Sequence, residues 1–326
     1  MRFGLLITFI LFLILPVAVS AQAISDTTAF SVSVSPQYPA PYSQAVISLL
    51  SSTLDLNNAT MIVSLAGKEI YQGSVRPVSV QMNKAGGIAN VNVKITSNGT
   101  NYSQAISIQP QDVVLIVEPI SSAPVLYKGK PRIPLEGDVR IVAVANIQNS
   151  SGKVFNQSDL SYSWTVDNTK IANASGIGKQ TIIVASPLQY RSRSISVDVK
   201  SQDGTLVGGA SLSLVAMNPS VRIYKNDPLL GILFDHALFG NYSINNSEST
   251  LYAAPFSLPN TNGAPLFQWF LNGSAVQTGN SITLRPTGSG KGNASLSLVA
   301  SGGESNRATA NLSLSFGSTP GGLFGL

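Results

Sequence analysis

Few residues in this 326-residue chain have the chemistry of an active site. The single histidine, His236, follows Asp235 and could serve as a general base with a carboxylate to orient it. Such a triad needs a nucleophile on a strained turn, and no G-x-S-x-G stretch is present. Zinc needs several His, Cys or carboxylate ligands, and the chain has one His and no Cys. Glycoside hydrolysis needs two converging carboxylates. The 15 acidic residues are scattered singly, several of them in turns (Asp167, Asp203). "DLNN" at 55–58 comes nearest to a calcium loop and reads more simply as a polar turn before a strand. No glycine-rich phosphate loop joins a strand to a helix. The expectation is a protein that is not an enzyme, with no catalytic residue, no metal site and no cofactor.

One polar pattern exceeds chance. N-x-S/T sequons begin at Asn58, Asn98, Asn101, Asn149, Asn156, Asn173, Asn241, Asn245, Asn272, Asn293 and Asn311, 11 in all, against roughly five for this composition. Glycosylation in loops is one reading. The simpler one is that turn asparagines beside strand serines and threonines create sequons without any transferase.

The elements that would carry these residues are strands. Hydrophobic residues make up 44% of the chain and charged residues only 11%, against about 25% charged in ordinary soluble domains. Ser, Thr and Asn take the polar role, as suits outward-facing strand positions. Arg2, the apolar run Gly4–Val19 and the small residues of "VSA" and "AQA" (19–23) form the pattern of a secretory signal peptide over 1–23. The run is shorter than the ~20 residues of a comfortable membrane span. Membrane contact is therefore expected only through this leader, if it stays uncleaved. The expected location is extracellular or at the cell surface. Without cysteine no disulfide can form, so stability rests on packed cores. The net charge of +5 is spread through "YKGKPR" (127–132), "YRSR" (190–193) and "VRIYK" (221–225). That is too thin for a nucleic-acid face, and suits weak attraction to anionic envelope polymers.

One strand occurs three times. In "TMIVSLAGK" (60–68), "LSYSWTVDN" (160–168) and "LFQWFLNG" (266–273), alternate residues share a face. Met61, Tyr162 and Phe267 are equivalent, as are Val63, Trp164 and Trp269, and Leu65, Val166 and Leu271. Each run ends in a turn pair, Ala66-Gly67, Asp167-Asn168 or Asn272-Gly273. A position that accepts either Val or Trp is a packing position, so these nine residues are the expected structural core. A buried Trp removes on the order of 200 Å² from water.

The anchors are 101 and 105 residues apart, the length of an immunoglobulin-like sandwich. A closing strand places Ile106, Leu212 and Leu312 at 43, 48 and 43 residues beyond each anchor. "ASLSLVA" at 210–216 and 294–300 is identical, yet this spacing puts the two copies in different strands of their modules. The fold class is all-β: three tandem immunoglobulin-like β-sandwich domains after a signal peptide. The expected modules are 24–119, 120–219 and 220–317, with a tail at 318–326. Three such modules would make a rod of roughly 100 Å if their strands run to about ten residues.

The proline-rich segment 118–134 is expected to be a stiff joint that includes part of an edge strand. An apolar linker loop at 226–248 is expected to pack between modules two and three, with a ligand-facing loop as the alternative. The tail "FGSTPGGLFGL" suits disorder, or docking of Leu323, Phe324 and Leu326 onto a partner groove.

The W-x-[VL]-[ND]-[NG] strands, Trp164–Asn168 and Trp269–Gly273, resemble those of bacterial immunoglobulin-like and PKD-like repeats, in which the strand is structural. The stretches 48–73, "LYKGK" and "LSYSWTVDN" resemble secreted proteins of small-genome bacteria that carry no known activity. The resemblance implies a non-catalytic envelope or extracellular protein acting as spacer, adhesion or assembly component. Its partner would be a cell-envelope protein or glycan. The alternative is a carbohydrate-binding accessory with Tyr190, Tyr224, Tyr242 and Tyr252 displayed on one face.

Overall fold

The computed structural model describes residues 29–125, 127–245, 247–287, 291–303 and 306–317. The leader at 1–23 and the tail residues Leu323, Phe324 and Leu326 lie outside the described residues.

The chain forms three β-sandwiches in series. The first contains β1 (Ser31–Ser35), β2 (Gln44–Leu50), β3 (Thr60–Leu65), β4 (Lys68–Ser74), β5 (Val78–Gln81), β6 (Ala89–Ser97) and β7 (Thr100–Ile108). A β1-β2-β5 sheet faces a β4-β3-β6-β7 sheet. The second contains β8 (Asp112–Pro119), β9 (Asp138–Asn146), β10 (Ser161–Val166), β11 (Thr169–Lys170), β12 (Gly176–Ile177), β13 (Thr181–Ala185), β14 (Ser192–Lys200) and β15 (Val207–Val215). Here β13-β9-β8 faces β11-β10-β14-β15. The third contains β16 (Ser220–Asp227), β17 (Gly231–Ile232), β18 (Gly240–Ile244), β19 (Ser249–Phe256), β20 (Leu266–Leu271), β21 (Ser274–Thr278), β22 (Ser281–Leu284), β23 (Gly292–Ser301) and β24 (Arg307–Phe316). Its sheets are β17-β16-β19-β22 and β18-β24-β23-β20-β21.

The period-2 pattern explains each core. In β6, Ala89, Val91, Val93 and Ile95 turn inward and are buried, while Asn90, Asn92 and Lys94 face water. Each sandwich closes around its own cluster of buried side chains, and the three clusters share no residue. The repeat holds in register. Val63 lies opposite Val93, and Val93 opposite Gln104. Trp164 lies opposite Val197, and Val197 opposite Ala210. Trp269 lies opposite Leu298, and Leu298 opposite Ala310. The identical "ASLSLVA" copies fall in the last strand of module two and the next-to-last of module three.

Two boundaries differ from the sequence reading. β8 belongs to the second module, not the first: it pairs with β9, and Val113, Leu115 and Val117 pack on the second core. The first module therefore ends near Gln111 rather than at 119. The cause is that Pro119 ends a strand, where its missing N–H costs nothing, instead of marking a break between modules. The stretch 226–248 is not a linker loop packed in the joint. It carries β17 and β18, runs back beside β16 through an Ile223–Leu238 bridge, and then crosses to the opposite sheet. Its polar backbone finds partners on two strand edges, which an apolar composition alone does not reveal.

Candidate interaction surface

The three recurrent hairpins share one turn geometry. Ala66-Gly67, Asp167-Asn168 and Asn272-Gly273 all have positive φ at both positions, as a type I′ turn requires. The indole N–H of Trp164 donates to the Lys179 carbonyl at 2.8 Å, and that of Trp269 to the Gly279 carbonyl at 2.9 Å. Both indoles are fully buried, as are Val63, Met61 and Tyr162. Leu65, Val166, Phe267 and Leu271 are only half-buried. Leu65, Val166 and Leu271 adjoin the turn, where the sandwich opens, and Phe267 lies near the start of its strand. All nine residues pack in or against the cores of their modules.

The polar candidates are dispersed. His236 and Asp235 are strongly exposed and bond to each other at 2.8 Å, and that bond to His236 holds the Asp235 carboxyl below its usual range. Asp203 is likewise lowered, first by the Ser201 hydroxyl and then by Thr205, within its own turn. In the "DLNN" turn, the Asn58 amide and the Asn57 backbone lower Asp55. Among the described residues, no three His, Asp or Glu side chains gather into a metal-sized group. The sequon asparagines are exposed except Asn149, which is half-buried with its Oδ1 taking the N–H groups of Ser151 and Lys153.

The modules meet through built joints. The Tyr38 ring from module one lies on Gly209 of β15, where an added β-carbon would sit 2.3 Å from Tyr38 Cδ2. Burial, then the Asp198 side chain, push the Tyr38 phenol up to about 12. Gln111, between the modules, bonds Gln148 twice: its Nε2 donates to the Gln148 carbonyl and its Oε1 accepts the Gln148 N–H, both at 2.8 Å. A cleft of about 530 Å³ remains here, lined by Val34, Tyr38, Ile88, Ile106 and Val207. At the second joint, Ser122 exchanges backbone bonds with Leu258 and Ser257 at 2.8 and 3.0 Å, and its hydroxyl accepts the Leu258 N–H. Asn260 N–H reaches the Ile120 carbonyl at 3.1 Å.

No protein-family model matches the chain, and no curated protein matches it. Solved structures that it resembles include arrays of immunoglobulin and fibronectin-III domains. The three N-terminal domains of the bacteriophage RB49 highly immunogenic outer capsid protein are 12% identical, over 89% of this chain and 100% of that one, with TM-score 0.24. The central fibronectin-III array of RIM-binding protein is 8% identical, over 89% and 96%, with TM-score 0.30. A Bacteroides ovatus surface protein, SGBP-B of a mixed-linkage glucan utilization locus, is 12% identical over 88% and 70%, with TM-score 0.22. Likeness at this level bears on neither arrangement nor function.

The outer faces of the sheets β1-β2-β5, β13-β9-β8 and β17-β16-β19-β22 distinguish the modules. In module one the outward residues are mainly serines: Ser31, Ser33, Ser35 and Ser48. In module three they include Tyr224, Tyr252 and Phe256, and the chain covers these aromatics itself. Phe234 stands edge-on to Tyr224 and Tyr252 at 5.2 and 6.2 Å, and Tyr127 to Phe256 at 5.5 Å. Tyr224 is buried, Tyr242 bonds Ser249 through its hydroxyl, and Tyr190 is 94% exposed on a separate loop. The four tyrosines thus form no common stacking plane. In module two the outward side chains include Val114, Ile116, Val142, Val144 and Ile183, four of them exposed, beside the Glu118–Arg140 ion pair. The sequence reading missed this face because an edge sheet with apolar residues on both sides shows no alternation.

Leu229 (93% exposed) and Leu230 (76%) form a second apolar feature at the start of the 228–239 excursion. Asp227 Oδ1 accepts both their N–H groups, at 3.0 and 3.2 Å, so the tip has a defined turn. No helix among the described residues is long and apolar enough to cross a membrane.

Proposed function

We propose that the chain is an exported, non-catalytic protein that holds and presents surfaces at a bacterial cell envelope, as a spacer and assembly component. The observation that carries this reading is the pair of joints. Tyr38 seated on Gly209 and Ser122 paired with Leu258 fasten consecutive sandwiches together. Bonded joints of this kind suit a spacer better than a flexible tether. The apolar leader pattern and the resemblance to bacterial immunoglobulin-like repeats support the placement. The exposed Val114, Ile116, Val144 and Ile183 on the outer face of module two favour a protein partner over a sugar, since Val and Ile offer no stacking surface for a pyranose ring.

The deciding experiment is affinity capture with the tagged chain on envelope and cytoplasmic fractions of its own host. Enrichment of the chain in the envelope fraction, with stoichiometric capture of an envelope protein, is the expected result. Recovery in the cytoplasm, or capture of glycan alone, would overturn the reading.

A further inference from the structure

The sandwiches of modules two and three open along the same seam, between the first and last strands. In module three the seam between β16 and β24 is closed by β18, which runs parallel to β24 from Leu312 to Phe316. Its Tyr242 and Ile244, two residues apart, pack on the third core. In module two, Ala210 holds the place of Ala310, so Leu212 and Leu214 correspond to Leu312 and Leu314. The seam between β8 and β15 receives residues 130–133 instead of a strand. Pro131 and Pro134 have no N–H to donate to a ladder. One backbone bond, Met217 N–H to the Ile133 carbonyl at 2.9 Å, ties the segment to the residues after β15.

A groove of about 630 Å³ remains, lined by Leu115, Val117, Leu212 and Leu214 and rimmed by exposed Val215 and Met217. β15 pairs with β14 on one edge, and no strand among the described residues pairs with the other. Lys130 and Arg132 stand exposed at the groove, and among the described residues neither has an acidic partner.

We propose that this groove binds an extended acidic segment of a partner protein, added parallel to β15 as β18 is added to β24. An incoming strand gains main-chain bonds along the free edge and places alternate side chains in the groove. β18 shows the chemistry that fits: an aromatic and an aliphatic residue two positions apart. Lys130 and Arg132 add a requirement for carboxylates near the end of the segment. The inference deepens the assembly reading without depending on export. A groove that binds nothing leaves the joints and the envelope placement untouched.

The test uses the full chain and a synthetic peptide, Gly-Asn-Tyr-Ser-Ile followed by two aspartates, with binding read by calorimetry and by backbone amide shifts of β15. Saturable binding is expected, with shifts in residues 211–217. Val215→Asp should weaken it at least about tenfold, because a charge enters an apolar rim. Since Val215 is exposed, this variant keeps the fold, which an unchanged thermal transition verifies. Lys130→Glu with Arg132→Glu should weaken binding about tenfold and restore it for a peptide ending in two lysines. Absence of binding at millimolar peptide, or binding that neither variant changes, overturns the proposal. So does self-association of the chain that Val215→Asp abolishes, since the occupant is then a second copy.

Discussion

Asp167 and Asn272 occupy the same position in two hairpins more than a hundred residues apart, and each ties its turn to the strand alongside in the same way. Asp167 Oδ1 accepts the Ser194 N–H at 2.9 Å while its own N–H donates to the Ser194 carbonyl at 2.9 Å. Asn272 does the same with Ser295, at 2.9 and 2.8 Å. In module one, Ala66 keeps the backbone bond to the Asn90 carbonyl at 2.8 Å but has no side chain to complete the pair. Its positive φ also suits Asn better than Ala. Ala66→Asn should therefore stabilise module one by about 1 kcal/mol, or roughly 4–8 °C in its melting transition. Calorimetry on the full chain checks this, and no upward shift would refute the equivalence of the turns.

Trp164 and Trp269 combine full burial with one indole bond each. Trp164→Phe removes the donor to the Lys179 carbonyl and part of the ring volume, and should destabilise module two by about 2–4 kcal/mol. Because the three cores share no residue, the loss should stay in one transition of a calorimetric scan. Broad destabilisation of all three modules would contradict separate cores.

Tyr38 and Gly209 make a pH-sensitive joint. The folded phenol titrates near 12 and an unfolded one near 10. The contribution of Tyr38 is thus fully present below about pH 10 and is lost as pH rises toward 12, where the folded joint must accept the charge or open. Tyr38→Phe should remove this pH dependence while retaining the packing, as read by small-angle scattering across that range. Gly209→Ala should displace the ring at any pH, because the new carbon would also lie 2.7 Å from the Val197 carbonyl oxygen.

Phe234 shields Tyr224 and Tyr252. Phe234→Ala should expose Tyr224 to iodination and increase proteolysis within 228–239. The stability of module three should fall by about 1–2 kcal/mol, the scale of two aromatic contacts. Unchanged Tyr224 labelling would mean that other side chains provide the cover.

Asp227 governs the Leu229–Leu230 tip. The backbone N–H groups of Leu229, then Leu230, lower its carboxyl below the usual range. The turn is stabilised above the unfolded value near 4, and this is lost as pH falls through the lowered folded value. Asp227→Ala should abolish the protection of the Leu229 and Leu230 amides against exchange at neutral pH, whereas in the parent chain their protection factors, taken against the intrinsic rate at each pH, should fall only as the carboxyl protonates.

Alternation, turn pairs and the hundred-residue repeat determined the strands, the sandwich class and the shared place of Val63, Trp164 and Trp269. Those signals are local, because a strand buried on one face must alternate and a tight hairpin must tolerate positive φ. Tertiary structure alone assigned β8 to the second sandwich, since a strand followed by proline reads equally well as the end of one module or the start of the next. It alone turned 226–248 into a strand switch, set Phe234 over two tyrosines and left the β15 edge beside Lys130 and Arg132. Each of those depends on which backbone edges and side-chain faces meet across long sequence separations, and no periodicity within one segment encodes that.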